Sequence, residues 1–271
     1  MKYGVASTNF GSYSDPAAIA RLALRAERAG WDGFFVWDHL AYVWNGPTGD
    51  PWILLAAAAT SRLRLGTAIS PIPRYQPHLL AGTLTTLDAL SGGRMILGAG
   101  LGGVSEEFTA FGGPADAGVR AAMTDEGLGL LDALWQGKPV SYQGQFYDVQ
   151  DVTFSPRPVQ RPQIPIWIGG NSGAALRRAA RWDGWIADSA SESAITMTPE
   201  QLAESIERIR AHRTPDLPLD VAVSGYSAPH ETHIAEPYRQ AGATWWLESI
   251  HDRRGDLEAM AERIEAGPPR P

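Results

Sequence analysis

Residues Arg62 to Gly103 read RLRLGTAISPIPRYQPHLLAGTLTTLDALSGGRMILGAGLGG. An apolar strand, an amphipathic helix and a second strand ending in glycines follow one another without a break, which makes the stretch a complete βαβ unit. In the helix, Leu79, Leu80, Leu84, Leu87 and Leu90 recur at three- and four-residue spacing. The expectation is one apolar face along the whole helix, packed on a sheet. Ser91-Gly92-Gly93 ends the helix, and Met95-Ile96-Leu97 shows no polar alternation. A strand covered on both sides reads this way, so the sheet is expected to be parallel.

The same rhythm extends in both directions. Strands are predicted at Tyr3–Ser7, Gly33–Trp37, Arg64–Ile69, Met95–Ala99, Pro165–Ile168, Trp185–Asp188, Asp220–Gly225 and Thr244–Glu248. Helices are predicted after them near Pro16–Ala29, Trp52–Thr60, Pro77–Leu90, Val119–Trp135, Ser172–Arg181, Pro199–His212, Glu231–Ala241 and Gly255–Ile264. Asp15-Pro16 and Thr198-Pro199 place a capping residue before a first-turn proline, and Gly30 and Gly242 close helices. Eight β-then-α units in one chain predict an α/β fold, a (β/α)8 TIM barrel spanning residues 1–267 with a frayed tail at 268–271. One segment breaks the rhythm: Pro139–Pro162, PVSYQGQFYDVQDVTFSPRPVQRP, holds two alternating aromatic runs around Gln143-Gly144-Gln145. It reads as a small β-hairpin inserted after helix four, outside the eight units that close the barrel.

Composition narrows the function. At 271 residues with a net charge of −7, the chain can bury a large core and lacks the clustered Lys and Arg that a nucleic-acid partner demands. It contains no cysteine, which excludes disulfides, Fe–S clusters, thiolate zinc and Cys nucleophiles. The N-terminal residues lead straight into a strand with no apolar leader, and no apolar run of membrane-spanning length follows. A cytoplasmic protein without a membrane partner is expected. His230-x-x-His233 has ligand spacing but no nearby third ligand, so no metal is expected.

In such a barrel the active site lies at the C-terminal ends of the strands. Strand two ends in Trp37-Asp38-His39, where a carboxylate beside a histidine suits proton transfer near neutral pH. Strand three ends in Gly66-Thr67-Ala68-Ile69-Ser70-Pro71, whose small residues let backbone approach a flat ligand. Strand four ends in Gly98-Ala99-Gly100-Leu101-Gly102-Gly103. This matches the dinucleotide pattern G-x-G-x-x-G, but three βα units precede it and no long helix opens at once, so a Rossmann site is disfavoured. Strand five ends in Gly169-Gly170-Asn171-Ser172, then a helix begins. Backbone N–H groups and a hydroxyl there can hold a phosphate without a lysine, with Ser172 as the plain N-cap as the structural alternative. Asp188 and Glu248 end strands six and eight as further acids. Trp245 and Trp246 point to opposite faces of one strand, and Trp31, Trp37, Trp44 and Phe108 are candidates for an apolar pocket wall.

With these residues in place, the chain resembles the bacterial luciferase-like family of flavin- and deazaflavin-dependent oxidoreductases. The motifs, in order, are Ala26-Glu27-Arg28-Ala29-Gly30-Trp31-Asp32 leading to Asp38-His39, LGTAISPIPRYQP, TLDALSGGRMILGAGLG, EEFTAFG, TDEGLGLLDALW and PIWIGG ahead of Ala179–Trp185. The resemblance implies reduced FMN, or coenzyme F420 as the alternative, with the ring against a strand-three bulge holding a non-proline cis peptide at Ala68-Ile69. It implies ring contacts at Ala68 and Ile69, phosphate contacts from Gly169, Gly170, Asn171 and Ser172, an active-site pair in Asp38 and His39, and a homodimer. By their places at strand ends, Thr67, Gly100, Gly102 and Asp188 are further candidates for cofactor contact and Glu248 for catalysis. Leu101 stands where the luciferases carry a phosphate-binding Arg, and no acid stands near Gly103 as it does in F420-dependent glucose-6-phosphate dehydrogenases. The function expected is hydride or activated-oxygen transfer to a small organic substrate. The alternatives are an isomerase or lyase acting on a phosphorylated substrate, and a non-catalytic flavin-binding barrel.

Overall fold

The computed structural model describes residues 1–40, 46–191, 193–229, 231 and 233–270. The elements run β1 (Lys2–Ser7), α1 (Pro16–Arg28), β2 (Gly33–Val36), α2 (Pro51–Ala58), β3 (Arg64–Thr67), β4 (Ser70–Pro71), α3 (Pro77–Ser91), β5 (Met95–Gly100), α4 (Glu106–Thr109), α5 (Ala117–Trp135), β6 (Pro139–Gln143) and β7 (Asp148–Thr153). Next come β8 (Ile166–Gly169), α6 (Gly173–Ala179), β9 (Gly184–Ala187), α7 (Pro199–Arg210), β10 (Asp220–Gly225), α8 (Glu236–Gln240), β11 (Trp245–Ile250) and α9 (Leu257–Glu265). Parallel pairing runs β3-β2-β1-β11-β10-β9-β8-β5, and β3 also pairs with β5, which closes the circle. The fold is a (β/α)8 TIM barrel, with each of the eight expected strands in place.

Aromatic rings fill the barrel interior. Phe35 stacks on Trp167 at 5.7 Å, and Trp245 meets both edge-on at 5.7 and 5.4 Å. Gly184 makes room for this plug, since a β-carbon there would fall 2.4 Å from Trp167 Cδ1. Along β11, Trp245 and Leu247 join the interior while Trp246 joins the layer between strands and helices. Most of the apolar side chains lie in that outer layer, as expected for strands covered on both faces.

Helix boundaries follow their caps. Asp15, Asp50, Ser172 and Asp256 each accept a first-turn N–H, and Thr198 with Gln201 forms a capping box. Two expectations need correction. Leu80, Leu84 and Leu87 are buried in α3, but Leu79 and Leu90 are exposed; the covered stripe runs through Ala81, Thr85, Asp88 and Ser91 instead. The seventh helix is only Glu236–Gln240, because Pro237 has no N–H for a bond to the preceding turn and its ring clashes with the carbonyl four residues back.

The 139–162 insertion is a hairpin, β6 against antiparallel β7. The segment is bound to the barrel by side chains. Glu126 accepts hydrogen bonds from the N–H groups of Gln145, Phe146 and Tyr147, and Gln160 bonds Asp88 and the Met95 carbonyl.

Candidate active site

The C-terminal ends of the strands surround a cavity of about 650 Å³. Asp38, His39, Ala68, Ile69, Gly100, Gly102, Gly169, Gly170, Asn171, Ser172 and Asp188 line it, so eleven expected residues from five strand ends meet in one place. Thr67 and Glu248 are absent from its walls. Thr67 is buried and its hydroxyl donates to the Gly98 carbonyl at 3.0 Å, joining β3 to β5 beneath the cavity. Gly98 permits that approach, because a β-carbon there would lie 2.0 Å from the Thr67 carbonyl oxygen.

Ala68-Ile69 is a cis peptide, as the resemblance implied, and it lies between β3 and β4 on the cavity wall. Gly169 and Gly100 face Ile69 from β8 and β5, with β-carbon positions 1.8 and 3.1 Å from its side chain. Beyond Gly169, Gly170 has φ +100°, a backbone conformation that glycine tolerates and L side chains rarely adopt. The Asn171 amide is spent on the next strand end, donating to the Asp188 carbonyl at 2.6 Å and accepting from the Asp188 N–H at 3.0 Å. Ser172 caps α6, its hydroxyl oxygen accepting from the Ala175 N–H. Gly173 and Ala174 then open the helix, so their N–H groups have no acceptor within it.

The acid–base group takes a different form from the one expected. The His39 ring faces Glu107, with Nδ1 3.2 Å from Oε1, and Glu107 also accepts the Leu40 N–H at 2.7 Å. Asp38 turns away from the imidazole. Its carboxylate accepts from Arg74 and, at 2.7 Å, from the Tyr75 hydroxyl. Arg74 joins the two acids, because its second nitrogen reaches Glu107 Oε2 at 3.0 Å. Asn9, at the end of β1, fixes the histidine backbone by donating to the His39 carbonyl at 2.8 Å and accepting its N–H at 3.1 Å.

Burial raises the Asp38 carboxyl above its ordinary value, although Arg74 opposes that shift. Burial acts on Glu107 in the same sense, but hydrogen bonds from His39 and Leu40 and the charge of Arg74 outweigh it and hold this carboxyl low. An ionised Glu107 only accepts, so Nδ1 of His39 carries a hydrogen. Nε2 is left as the ring nitrogen able to exchange a proton.

Glu248 is corrected by strand parity. It follows Leu247, so it faces outward with Trp246, and it has no solvent exposure. Ser227 N–H and hydroxyl, Trp246 Nε1 and Arg254 donate to it at 2.9, 2.7, 3.0 and 2.5 Å. It anchors the loops after β10 and β11. Among the aromatic candidates, Trp37 lines the cavity, Trp31 packs outside against Arg263, and Phe108 packs on Gly102 and Arg120. Trp44 and His230 lie outside the described residues. Arg74 and Glu107 have no role in the sequence reading, although both sit in quoted motifs, PIPRYQP and EEFTAFG. Glu107, four residues after Gly103 and on the same cavity wall, corrects the expectation that no acid stands near that glycine.

The sequence profile of the luciferase-like monooxygenases matches residues 1–270. An F420-dependent glucose-6-phosphate dehydrogenase of Microbacterium testaceum is 32% identical over 264 residues, covering 92% of this chain and 76% of that one. Among solved structures, an F420-dependent secondary alcohol dehydrogenase in complex with an F420-acetone adduct superposes with a TM-score of 0.82 at 19% identity, covering 99% and 98% of the two chains. The oxygenating constituent of 3,6-diketocamphane monooxygenase from Pseudomonas putida, in complex with FMN, has a TM-score of 0.74 at 16% identity, covering 98% and 96%. With a profile match from end to end and a relative above 30% identity, the chain belongs to the luciferase-like monooxygenase family.

Proposed function

We propose that this protein is an oxidoreductase that uses a flavin-type ring, with F420 favoured over FMN, to exchange hydride with a small alcohol or carbonyl substrate. The observation that carries the reading is the Glu107–His39 pair on the wall of the cavity that also holds the Ala68-Ile69 bulge. The 32% identical relative, an F420-dependent enzyme by name, favours the deazaflavin, as does Leu101 in place of an arginine for the flavin phosphate.

The residues present suit such a cofactor. A cavity of about 650 Å³ is within the usual range for a bound cofactor. One wall is the small-residue surface of Ala68, Ile69, Gly100 and Gly102, and the Gly169–Ser172 turn lies beside it for the phosphate. When bound, the ring supplies the hydride chemistry. The chain supplies position and protons. Glu107 keeps the hydrogen on His39 Nδ1 and thereby presents Nε2 to the substrate oxygen as base, or as acid once protonated. Asn9 and Arg74 are positioning residues, one holding the His39 backbone and the other the Glu107 carboxylate.

The relatives named above are oxidoreductases by name, which favours that class over the isomerase, lyase and non-catalytic readings. Titration of the purified protein with F420 and with FMN, followed by turnover with a panel of small alcohols, tests the proposal. Binding of F420 and its reduction by an alcohol are expected. His39→Gln should retain F420 and lose about 10²–10⁴-fold in turnover. Binding of FMN alone would shift the cofactor, and full turnover in His39→Gln would remove the proton-transfer role.

A further inference from the structure

A second cavity, of about 390 Å³, adjoins the first on the outside of the barrel. Ala174 and Arg178 line both, so the two spaces meet at the start of α6. The remaining walls are Arg177, Arg181 and Asp125. A fourth guanidinium, that of Arg208 on α7, lies 3.2 Å from the β-carbon position of Gly173, and Arg177 lies 3.5 Å from it. The two groups therefore flank the residue that follows the Gly169–Ser172 turn.

The charges do not cancel. Arg178 holds Asp125 through Nε and Nη2 at 2.9 and 2.7 Å, and Arg181 pairs with the same carboxylate. Arg177 and Arg208 have no carboxylate partner among the described residues, Glu204 one turn before Arg208 included. Four guanidinium groups and one carboxylate leave three positive charges in this group of side chains, in a chain whose net charge is −7. Arg177 and Arg208 are exposed, so a ligand can reach them without opening the fold.

We infer that this arginine surface binds an anionic extension of the cofactor beyond its phosphate, a chain of carboxylates such as the oligoglutamate tail that F420 has and FMN lacks. The inference rests on the cofactor reading above and deepens it. A tail leaving the phosphate turn at Gly173 passes between Arg177 and Arg208 and enters the second cavity. Guanidinium groups suit it because their planar donor forks match carboxylates in pairs.

The test compares F420 carrying its oligoglutamate tail with the same deazaflavin cut back to its phospholactyl group, by fluorescence titration at low and raised salt. For the unmodified protein, the full tail is expected to bind about tenfold more tightly, an advantage that salt removes because these charges are solvent-exposed. In the Arg177→Gln/Arg208→Gln double variant, full-length F420 is expected to weaken about tenfold while the truncated form changes less than about twofold. Equal affinity of the unmodified protein for the two forms overturns the inference alone. So does a double variant that weakens both forms equally. Failure of both forms to bind the unmodified protein overturns the cofactor reading, and this inference with it.

Discussion

Ile69 occupies the space that a side chain on Gly169 would need: its Cδ1 lies 1.8 Å, and its Cγ1 2.9 Å, from where a β-carbon on that glycine would stand. The end of β8 thus accommodates the bulge after β3 by having no side chain. Gly169→Ala is expected to push Ile69 from the cavity wall, weaken cofactor binding by about tenfold or more, and cost about 1–3 kcal/mol of stability. Titration and thermal melting measure both effects. Unchanged affinity in the folded variant would show that the Ile69 side chain does not support the ring. At Gly170 the β-carbon position meets only Ala175, at 3.6 Å, so a substitution there is disfavoured by the φ of +100° rather than by crowding.

Glu107 ties the imidazole of His39 to the guanidinium of Arg74. Glu107→Gln keeps the shape and removes the charge, so Nδ1 of His39 loses its anionic acceptor. Turnover should fall about 10- to 100-fold with cofactor affinity retained, because the imidazole is no longer held in one orientation and tautomer. Loss of cofactor binding or of thermal stability in step with the activity would indicate a purely structural role.

Glu248 lies behind the barrel wall with five protein donors around it, Arg263 being the fifth at 3.5 Å. Glu248→Ala should therefore destabilise the fold by about 3–5 kcal/mol by leaving buried cations unpaired. Activity per folded molecule should stay within a few-fold of the unmodified enzyme. Urea denaturation together with activity normalised to folded protein separates the two effects, and a selective loss of turnover would return Glu248 to the active site.

His251 is 1% exposed, and burial, with the charge of Arg254 second, holds its imidazole below the ordinary value of 6.5. The folded state prefers the neutral ring, so on acidification the unfolded chain takes up this proton first. Stability from this residue is complete above about pH 6.5 and declines as the pH falls below it. Urea denaturation in the unmodified protein should show the decline between about pH 7 and 5, and His251→Gln should flatten it. Glu107 adds a second loss at lower pH, because its depressed carboxyl stabilises the fold above its ordinary 4.5 and loses that contribution as pH falls through the folded value.

Much of this protein was legible in the sequence because its determinants are local. Capping residues before first-turn prolines, glycines closing helices and uninterrupted apolar strands act within one turn or one strand, and together they establish eight βα units in order. A closed barrel then places the strand ends at one mouth, which is why Asp38, Ala68, Gly100 and Gly169 could be assigned to one cavity without coordinates. Tertiary structure alone decided what depends on parity and on distance across the barrel. Nothing local tells whether Trp245 or Trp246 faces inward, and that choice sends Glu248 out of the site. Leu79 and Leu90 have the composition of a buried stripe, but contact with α2 and α5 determined which side of α3 is covered. The pairing of His39 and of Arg74 with Glu107 spans 68 residues and three strand ends. It forms only because closing the barrel brings those ends within hydrogen-bond reach, and no periodicity in the chain encodes that proximity.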